Sequence, residues 1–272
     1  MRAVLALSAL LACSGCVLDA TVEYKVVEQE HKHFTVAGRP EVSLRTFDGS
    51  IEVRPSDKSD VDVTIEKRGP TKESLDDLIV EASQSGNRVS VEVRSKRTGG
   101  WHFGLSPNAK LIVSVPASAD LEARSGDGSI DVERVNGRVE LSSGDGSIRA
   151  RDVNGDVTVH TGDGSVTLDG RFAALKASTG DGSVRIRAEA GSSPSADWVV
   201  TTGDGSITLE IPDGFNSNLD AHTGDGRVHV EDVSVSQVSG EIRRNTLRGQ
   251  IGSGGKVVKL RTGDGSITLR RS

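Results

Sequence analysis

Beyond Pro116 the chain alternates apolar and polar positions with a period of two. After Gly128 it runs Ser129, Ile130, Asp131, Val132, Glu133, and after Gly137 it runs Arg138, Val139, Glu140, Leu141. The same register carries Ile148 and Ala150, Val157 and Val159, Val166 and Leu168, Leu175 and Ala177, and Val184 and Ile186. Successive side chains of a strand point to opposite faces, so this pattern predicts strands buried on one face. No helical periodicity appears in this region. Turns punctuate it instead. Asp-Gly-Ser followed by Ile or Val begins at Asp48, Asp127, Asp145, Asp163, Asp181, Asp204 and Asp264, with an Arg variant at Asp225. From Asp127 the spacings are 18, 18, 18, 23, 21 and 39 residues. A second marker, Asn136-Gly137 and Asn154-Gly155, falls halfway between the early signals. Each unit therefore reads turn, strand, turn, strand.

Such a repeat predicts an all-β fold, and two architectures satisfy it. In a β-solenoid each unit of about 18–23 residues is one coil, and like strands stack in parallel. In an antiparallel meander, Asp-Gly and Asn-Gly are hairpin turns. The near identity of neighbouring units favours the solenoid, as does a loop at 191–196 that leaves the next register intact. The 39-residue interval reads as two coils with one degenerate signal, at either Ser239-Gly240-Glu241-Ile242 or Ile251-Gly252-Ser253. One coil buries about four aliphatic side chains at ~1.5–3 kcal/mol each. Ordering its backbone costs ~1–2 kcal/mol per residue. A lone coil therefore fails, and the array folds together.

Residues 20–119 are also mostly β. Alternation marks 41–53 and 60–66, and 71–78 reads as a short helix behind Pro70. A hairpin is expected at 79–83 and 88–94 around Ser85-Gly86-Asn87, followed by a strand at 110–115. This region, taken as 16–118, is expected to start and cap the solenoid of 119–272, because an open coil end invites pairing with another chain. The charged tail Arg270-Arg271-Ser272 is expected to shield the other end.

The leader differs from the rest. Arg2 precedes an apolar run at 3–12, far shorter than the ~20 residues of a membrane span. A charged start, a short apolar stretch and small residues read as an export signal at 1–15. The string LLACSGC that closes it resembles a bacterial lipoprotein signal, with Cys16 as the expected acylated residue and Cys13 as the alternative. No βαβ pattern surrounds this Cys-x-x-Cys, which argues against a redox site. Composition narrows the function further. There are 33 Lys plus Arg against 39 Asp plus Glu, a net charge of −6 that supplies no basic footprint for nucleic acid. Aromatic residues are only 3% of the chain, so a thin aliphatic core is expected and sugar-binding platforms are scarce.

The string VSVPASADLEARSGDGSIDV, the repeated TGDGSI segments, IPDGFNSNLDAHTGDGRVHVED and IGSGGKVVKLRTGDGSITL together resemble the DUF4097 family over roughly 41–269. The resemblance implies a right-handed parallel β-helix of the bacterial envelope, in a family labelled as adhesins. It implies no catalytic residues.

Candidate chemistry is sparse. Coil stacking would place Asp127, Asp145, Asp163 and Asp181 in a row, with Asp204 and Asp264 continuing it. Either each Asp accepts a backbone N–H bond within its turn, or Ca²⁺ lies between neighbours. Turn chemistry is the expected answer, with no cofactor or metal. Gly128, Gly146, Gly164, Gly182, Gly205 and Gly265 are expected to take positive φ. His160 and His222 share a repeat position but are separated by coils carrying Ser178 and Thr201. His31 and His33 share a strand face. Trp101, His102 and Phe103 form a loop tip that is either a contact site or a hydrophobic lid. Glu133, Arg134, Arg149, Arg151, Arg185 and Arg187 suit cross-strand ion pairs on a solvated face. The expected function is a non-catalytic, lipid-anchored envelope scaffold or binding module for an unidentified envelope protein or glycan. The rivals are a carbohydrate-active enzyme and a calcium-stabilised module.

Overall fold

The structure is a computed structural model and describes residues 26–96, 106–238 and 244–272. Alternation becomes strand throughout. Strand β1 (Val26–Thr35) is followed by β2 (Glu41–Thr46), β3 (Ile51–Ser56) and β4 (Asp60–Gly69). One helical turn, α1 (Lys72–Leu75), leads to β5 (Leu78–Ser85), β6 (Arg88–Ser95) and β7 (Asn108–Pro116). The repeats supply β8 (Asp120–Ser125), β9 (Ile130–Glu133), β10 (Asn136–Ser143), β11 (Ile148–Thr161), β12 (Val166–Thr179) and β13 (Val184–Ala188). Beyond a loop lie β14 (Trp198–Thr202), β15 (Ile207–Ile211), β16 (Ser217–Thr223) and β17 (Val228–Glu231). Then come β18 (Val235–Ser236), β19 (Thr246–Ile251), β20 (Val257–Thr262) and β21 (Ile267–Arg271).

Parallel pairing decides the architecture. Ile130 lies beside Ile148, Ile148 beside Val166, and Val166 beside Val184, each eighteen residues on. The strands flanking an Asp-Gly-Ser turn do not pair with each other, so the turn is a corner of a coil and the hairpin meander is excluded. One face of the stack runs β7, β3, β9, the first half of β11, the first half of β12, β13, β15, β21, β17. The other runs β6, β2, β8, β10, the second halves of β11 and β12, β14, β20, β16. The second corner is made by Arg134 and Asp152, both at φ 53, after which Val135 and Val153 turn inward.

The stack order departs from the chain order at both ends. The coil with its turn at Asp264 sits between the coils of Asp204 and Asp225. The 39-residue interval therefore does not hide two successive coils. Part of it is a return path in which β18 pairs with β19, and β19 pairs antiparallel with the outer edge of β16. Ile251-Gly252-Ser253 is a tight turn on that path, with Gly252 at φ 58, and 239–242 lies outside the described residues. The tail expectation also fails, because Arg270 sits between Glu210 and Glu231 inside the stack. Spacing along the chain misleads here because the coils present interchangeable aliphatic rows, so chain neighbours need not be stack neighbours.

The region before the repeats joins the same stack, likewise out of order. The alternating stretch at 41–53 breaks at Asp48-Gly49-Ser50, and its coil lies between β6–β7 and β8–β9. Antiparallel strands close this end: β4 on β7, β1 on β4, and β5 on β6. The helix expected at 71–78 shrinks to one turn. Thr71 caps it by accepting from the Ser74 N–H, and Ser74 accepts in return from the Thr71 N–H. It stops there because Leu78 already enters β5 opposite Ser95.

The core is a single cluster of inward rows, such as Ile51, Ile130, Ile148, Val166, Val184, Ile207 and Ile267. It is aliphatic as expected, except at one corner. There Trp198 is fully buried, 6.0 Å edge-on from Phe172 and 5.2 Å from Phe215. These rings occupy the region where the loop 189–197 lengthens a coil. Among the described residues no helix is long and apolar enough to cross a membrane.

Trp198→Ala is expected to cost ~3–5 kcal/mol in denaturant unfolding, because several rings lose their shared partner. Val27→Ala, at an exposed position, should stay within ~0.5 kcal/mol.

Candidate functional site

The repeated turns line one edge of the stack, and their geometry rests on a residue type that the motif reading left out. Two positions before each motif Asp stands a Ser or Thr: Thr46, Ser125, Ser143, Thr161, Thr179, Thr202, Thr223 and Thr262. All eight are buried. Each points inward at the corner and joins two coils. The Ser143 hydroxyl accepts the Gly146 N–H of its own turn at 3.1 Å and donates to the Gly128 carbonyl of the adjacent coil at 2.9 Å. Thr161 donates to Gly146 O (2.9 Å), Thr179 to Gly164 O (2.8 Å) and Thr202 to Gly182 O (2.8 Å). Thr262 continues to Gly205 O and Thr223 to Gly265 O, both at 2.7 Å. A hydroxyl is needed because a corner leaves backbone groups that no ladder strand can reach, and buried polar groups must be paired. The signal was in the sequence as an unbroken Ser/Thr column.

The glycines have a different reason from the expected one. Gly128, Gly146, Gly164, Gly182, Gly205 and Gly265 are not among the residues at positive φ. They are glycine because the coils touch there. A Cβ on Gly146 would overlap the Gly128 carbonyl, and one on Gly164, Gly182, Gly205 or Gly265 would strike the preceding turn in the same way. Positive φ is found instead at the second corner, at Gly137, Gly155 and Gly170.

Asp145, Asp163, Asp181, Asp204 and Asp264 stand exposed in a row with Asp127. Their carboxylates make no hydrogen bond to the turn backbone among the described residues, so the hydroxyl rather than the carboxylate closes the turn. Asp127, Asp145, Asp163, Asp181 and Asp204 each lean over the first glycine of the adjacent coil, as Asp145 Oδ1 does over Gly162. At the row's end, burial and then the neighbouring charge of Asp127 raise the Asp48 carboxyl above its usual range, opposed by the Gly49 N–H. No three His, Cys, Asp or Glu side chains among the described residues group to hold a metal ion.

The outer faces carry ion pairs along the stack. Arg54 bonds Glu133 at 2.6 Å, Lys110 bonds Glu52 at 2.6 Å, and Arg151 reaches both Asp131 (3.1 Å) and Glu133. Arg149 reaches Asp131 at 3.5 Å and Arg187 reaches Asp169 at 3.8 Å. Burial resists ionisation of Asp220, but bonds from Arg261 and Arg248 outweigh it and hold the carboxyl below its usual range. At another corner, burial and then Asp169 raise the Glu189 carboxyl. A groove of about 530 Å³ opens over β6, β2, β8 and β10, lined by Glu41, Arg88, Asp120, Glu122, Arg138 and Glu140. Its charges are of both signs, and Arg88 already engages Glu41 at 2.7 Å.

The histidines are dispersed. His160 bonds Ser178 and His222 bonds Thr246, and the coils between them carry Ser178, Thr201 and Arg261 at this position. His31 bonds Thr64, while His33 bonds Asp62 at 2.6 Å, with Asp60 at 3.8 Å. The Asp62 bond raises the His33 pKa. Cys13, Cys16, Trp101, His102 and Phe103 lie outside the described residues.

The family profile described as Toastrack DUF4097 matches residues 40–197 and 174–270, and the chain belongs to that family. Among solved structures, it is similar to a "putative cell adhesion protein" from Clostridium sporogenes ATCC 15579 at 10% identity, covering 91% of this chain and 100% of that one, with a TM-score of 0.41. A "putative adhesin" from Bacteroides fragilis NCTC 9343 has 11% identity, coverage of 90% and 97%, and a TM-score of 0.40. Another "putative adhesin", from Parabacteroides merdae ATCC 43184, has 10% identity, coverage of 89% and 96%, and a TM-score of 0.40. No curated protein matches the chain. The family match, not these distant likenesses, carries the assignment.

Gly146→Ala should destabilise the array far more than Ser147→Ala, and Thr161→Val should cost ~1–3 kcal/mol by depriving the buried Gly146 carbonyl of its hydroxyl partner. Chemical denaturation of the three variants checks both statements. His33, with its pKa raised, should titrate above the ordinary ~6.5. Its contribution to the β1–β4 pairing is then complete below that value and lost as pH rises through the folded pKa. An NMR titration should show this, with Asp62→Asn lowering the midpoint.

Proposed function

We propose that this Toastrack-family chain is a non-catalytic envelope protein whose exported part is a right-handed parallel β-solenoid. A lipid on Cys16, or on Cys13, tethers it to a bacterial membrane on the outer-membrane or periplasmic side. Residues 1–15 are the signal, 16–118 the first coils and cap, and 119–272 the repeat solenoid. The molecule serves as a rigid, adhesin-like scaffold that presents its stack to an envelope protein or glycan. The right hand is the one that twisted parallel strands favour in crossover connections.

The observation that best supports this reading is how the outer side chains are used. Arg54 and Arg151 are both engaged with Glu133, and Arg187 with Asp169, each within one row across neighbouring coils. Such pairs add stiffness and solubility more than chemistry. The described structure begins at Val26, so nine residues separate it from Cys16 and the span is at most ~35 Å when extended. The tether would therefore hold the β1 end of the stack near the bilayer, with the β17 end away from it.

Replacing Cys13 and Cys16 together by Ser should move the protein from the membrane to the soluble fraction on cell fractionation. Undiminished membrane association would refute the lipid anchor. Affinity capture from envelope extract with the purified exported part should return a discrete protein or glycan. Catalytic turnover of envelope polysaccharide by the same preparation would instead favour the enzyme reading.

A further inference from the structure

The coil at 257–271 follows the coil at 217–231 in the chain but precedes it in the stack. On the face of β15, β21 and β17 the core does not require this. The inner pairs of the three coils concerned are Ile207 and Leu209, Val228 and Val230, and Ile267 and Leu269. Their corner hydroxyls are Thr202, Thr223 and Thr262, and their turns carry the same two glycines. On that face any of these coils would seat on any other, whereas the opposite inner row is uneven, with Trp198, Val258 and Leu219 side by side. Coils this alike need a further feature to choose their neighbours, or the chain would populate several stacks.

One outer row provides it. On the face formed by β9, β11, β12, β13, β15, β21 and β17, the position next to the second corner alternates in sign. Pairing registers place Glu133 beside Arg151, Asp169 beside Arg187, Arg187 beside Glu210, Glu210 beside Arg270 and Arg270 beside Glu231. Between β11 and β12 the register shifts at this position, after Ala150 and Leu168. Arg270 bonds Glu210 through Nε at 3.0 Å. Were the coils stacked in chain order, Glu210 would face Glu231, and Arg270 would meet only one acid. Like charges directly opposite on neighbouring strands destabilise, and unlike charges stabilise. The other rows at this end are neutral on the choice: Thr208, Thr268 and His229 form one of them.

We propose that this charge row selects the stack order, drawing residues 257–271 as a strap between two coils that precede it in the chain. The strap is then paired on both sides, with β14 and β15 on one and β16 and β17 on the other. It leaves the outer edge of β16 to β19, whose Arg248 bonds Asp220 at 2.9 Å. The other end of the stack uses a different device, the antiparallel closure by β4 and β5. There the outer charges are divided on the inserted order, since Arg54 bonds Glu133 but Glu41 lies beside Asp120.

The test reads neighbours directly. In the full chain with Cys13 and Cys16 changed to Ser, the pair Thr208→Cys with Thr268→Cys reports the observed order. The pair Thr208→Cys with His229→Cys reports chain order. Under mild oxidation, mass spectrometry should find the first disulfide and only background for the second. Exchanging two charges, Arg270→Glu with Glu231→Arg, keeps the net charge but makes chain order the alternating one. The ratio of second to first disulfide should then rise about tenfold or more. An unchanged ratio in a folded protein, judged by its β circular dichroism, overturns the proposal. If the exchanged chain does not fold, Arg270→Ala must still raise the ratio severalfold, and no change there overturns it equally.

Discussion

Everything in this stack depends on the distance at which successive turns meet. The carbonyl of one turn glycine occupies the space a side chain would need on the next, so the column admits only Gly. That closeness leaves corner N–H and C=O groups that no neighbouring strand can satisfy. The buried Ser/Thr column answers it by accepting within its own turn and donating to the adjacent one. Removing either partner would not weaken one contact alone. It would move two coils apart along an edge where each coil repeats the same fit.

The same uniformity creates the fold's problem. Coils that share hydroxyls, glycines and the inner row of one face are chemically alike along that face. The stack is ordered by what lies outside the core: antiparallel strands at one end, and an alternating row of acids and arginines together with the β19 clasp at the other. Single exposed ion pairs contribute little. They count here because the alternatives they separate are otherwise nearly equal in energy.

For function, the consequence is a molecule that presents faces more than a cleft. Raised carboxyls occur at Asp48 and Glu189, but they lie apart, one at the end of the turn row and one at a corner. The groove over β6, β2, β8 and β10 is lined by charges already partly engaged with each other. Under the proposed scaffold role, a partner would be met along a regular surface at strand spacing.

Period-two alternation and recurring Asp-Gly-Ser determined, from the sequence alone, that the chain is all-β and built of repeated two-strand units, and parallel pairing in the structure made those units stacked coils. Both are local properties, enforced by strand geometry and turn sterics wherever the coil ends up. The Ser/Thr column was equally legible as a pattern, yet its purpose was not, because a hydroxyl that bridges coils has no partner until the coils are stacked. Only the tertiary structure decided that 257–271 enters between 198–211 and 217–231, that 41–56 enters behind 88–116, and that three rings meet around Trp198. Those outcomes depend on contacts between residues up to 79 positions apart. When the coils that compete for a place carry the same inward side chains, no local signal can rank them.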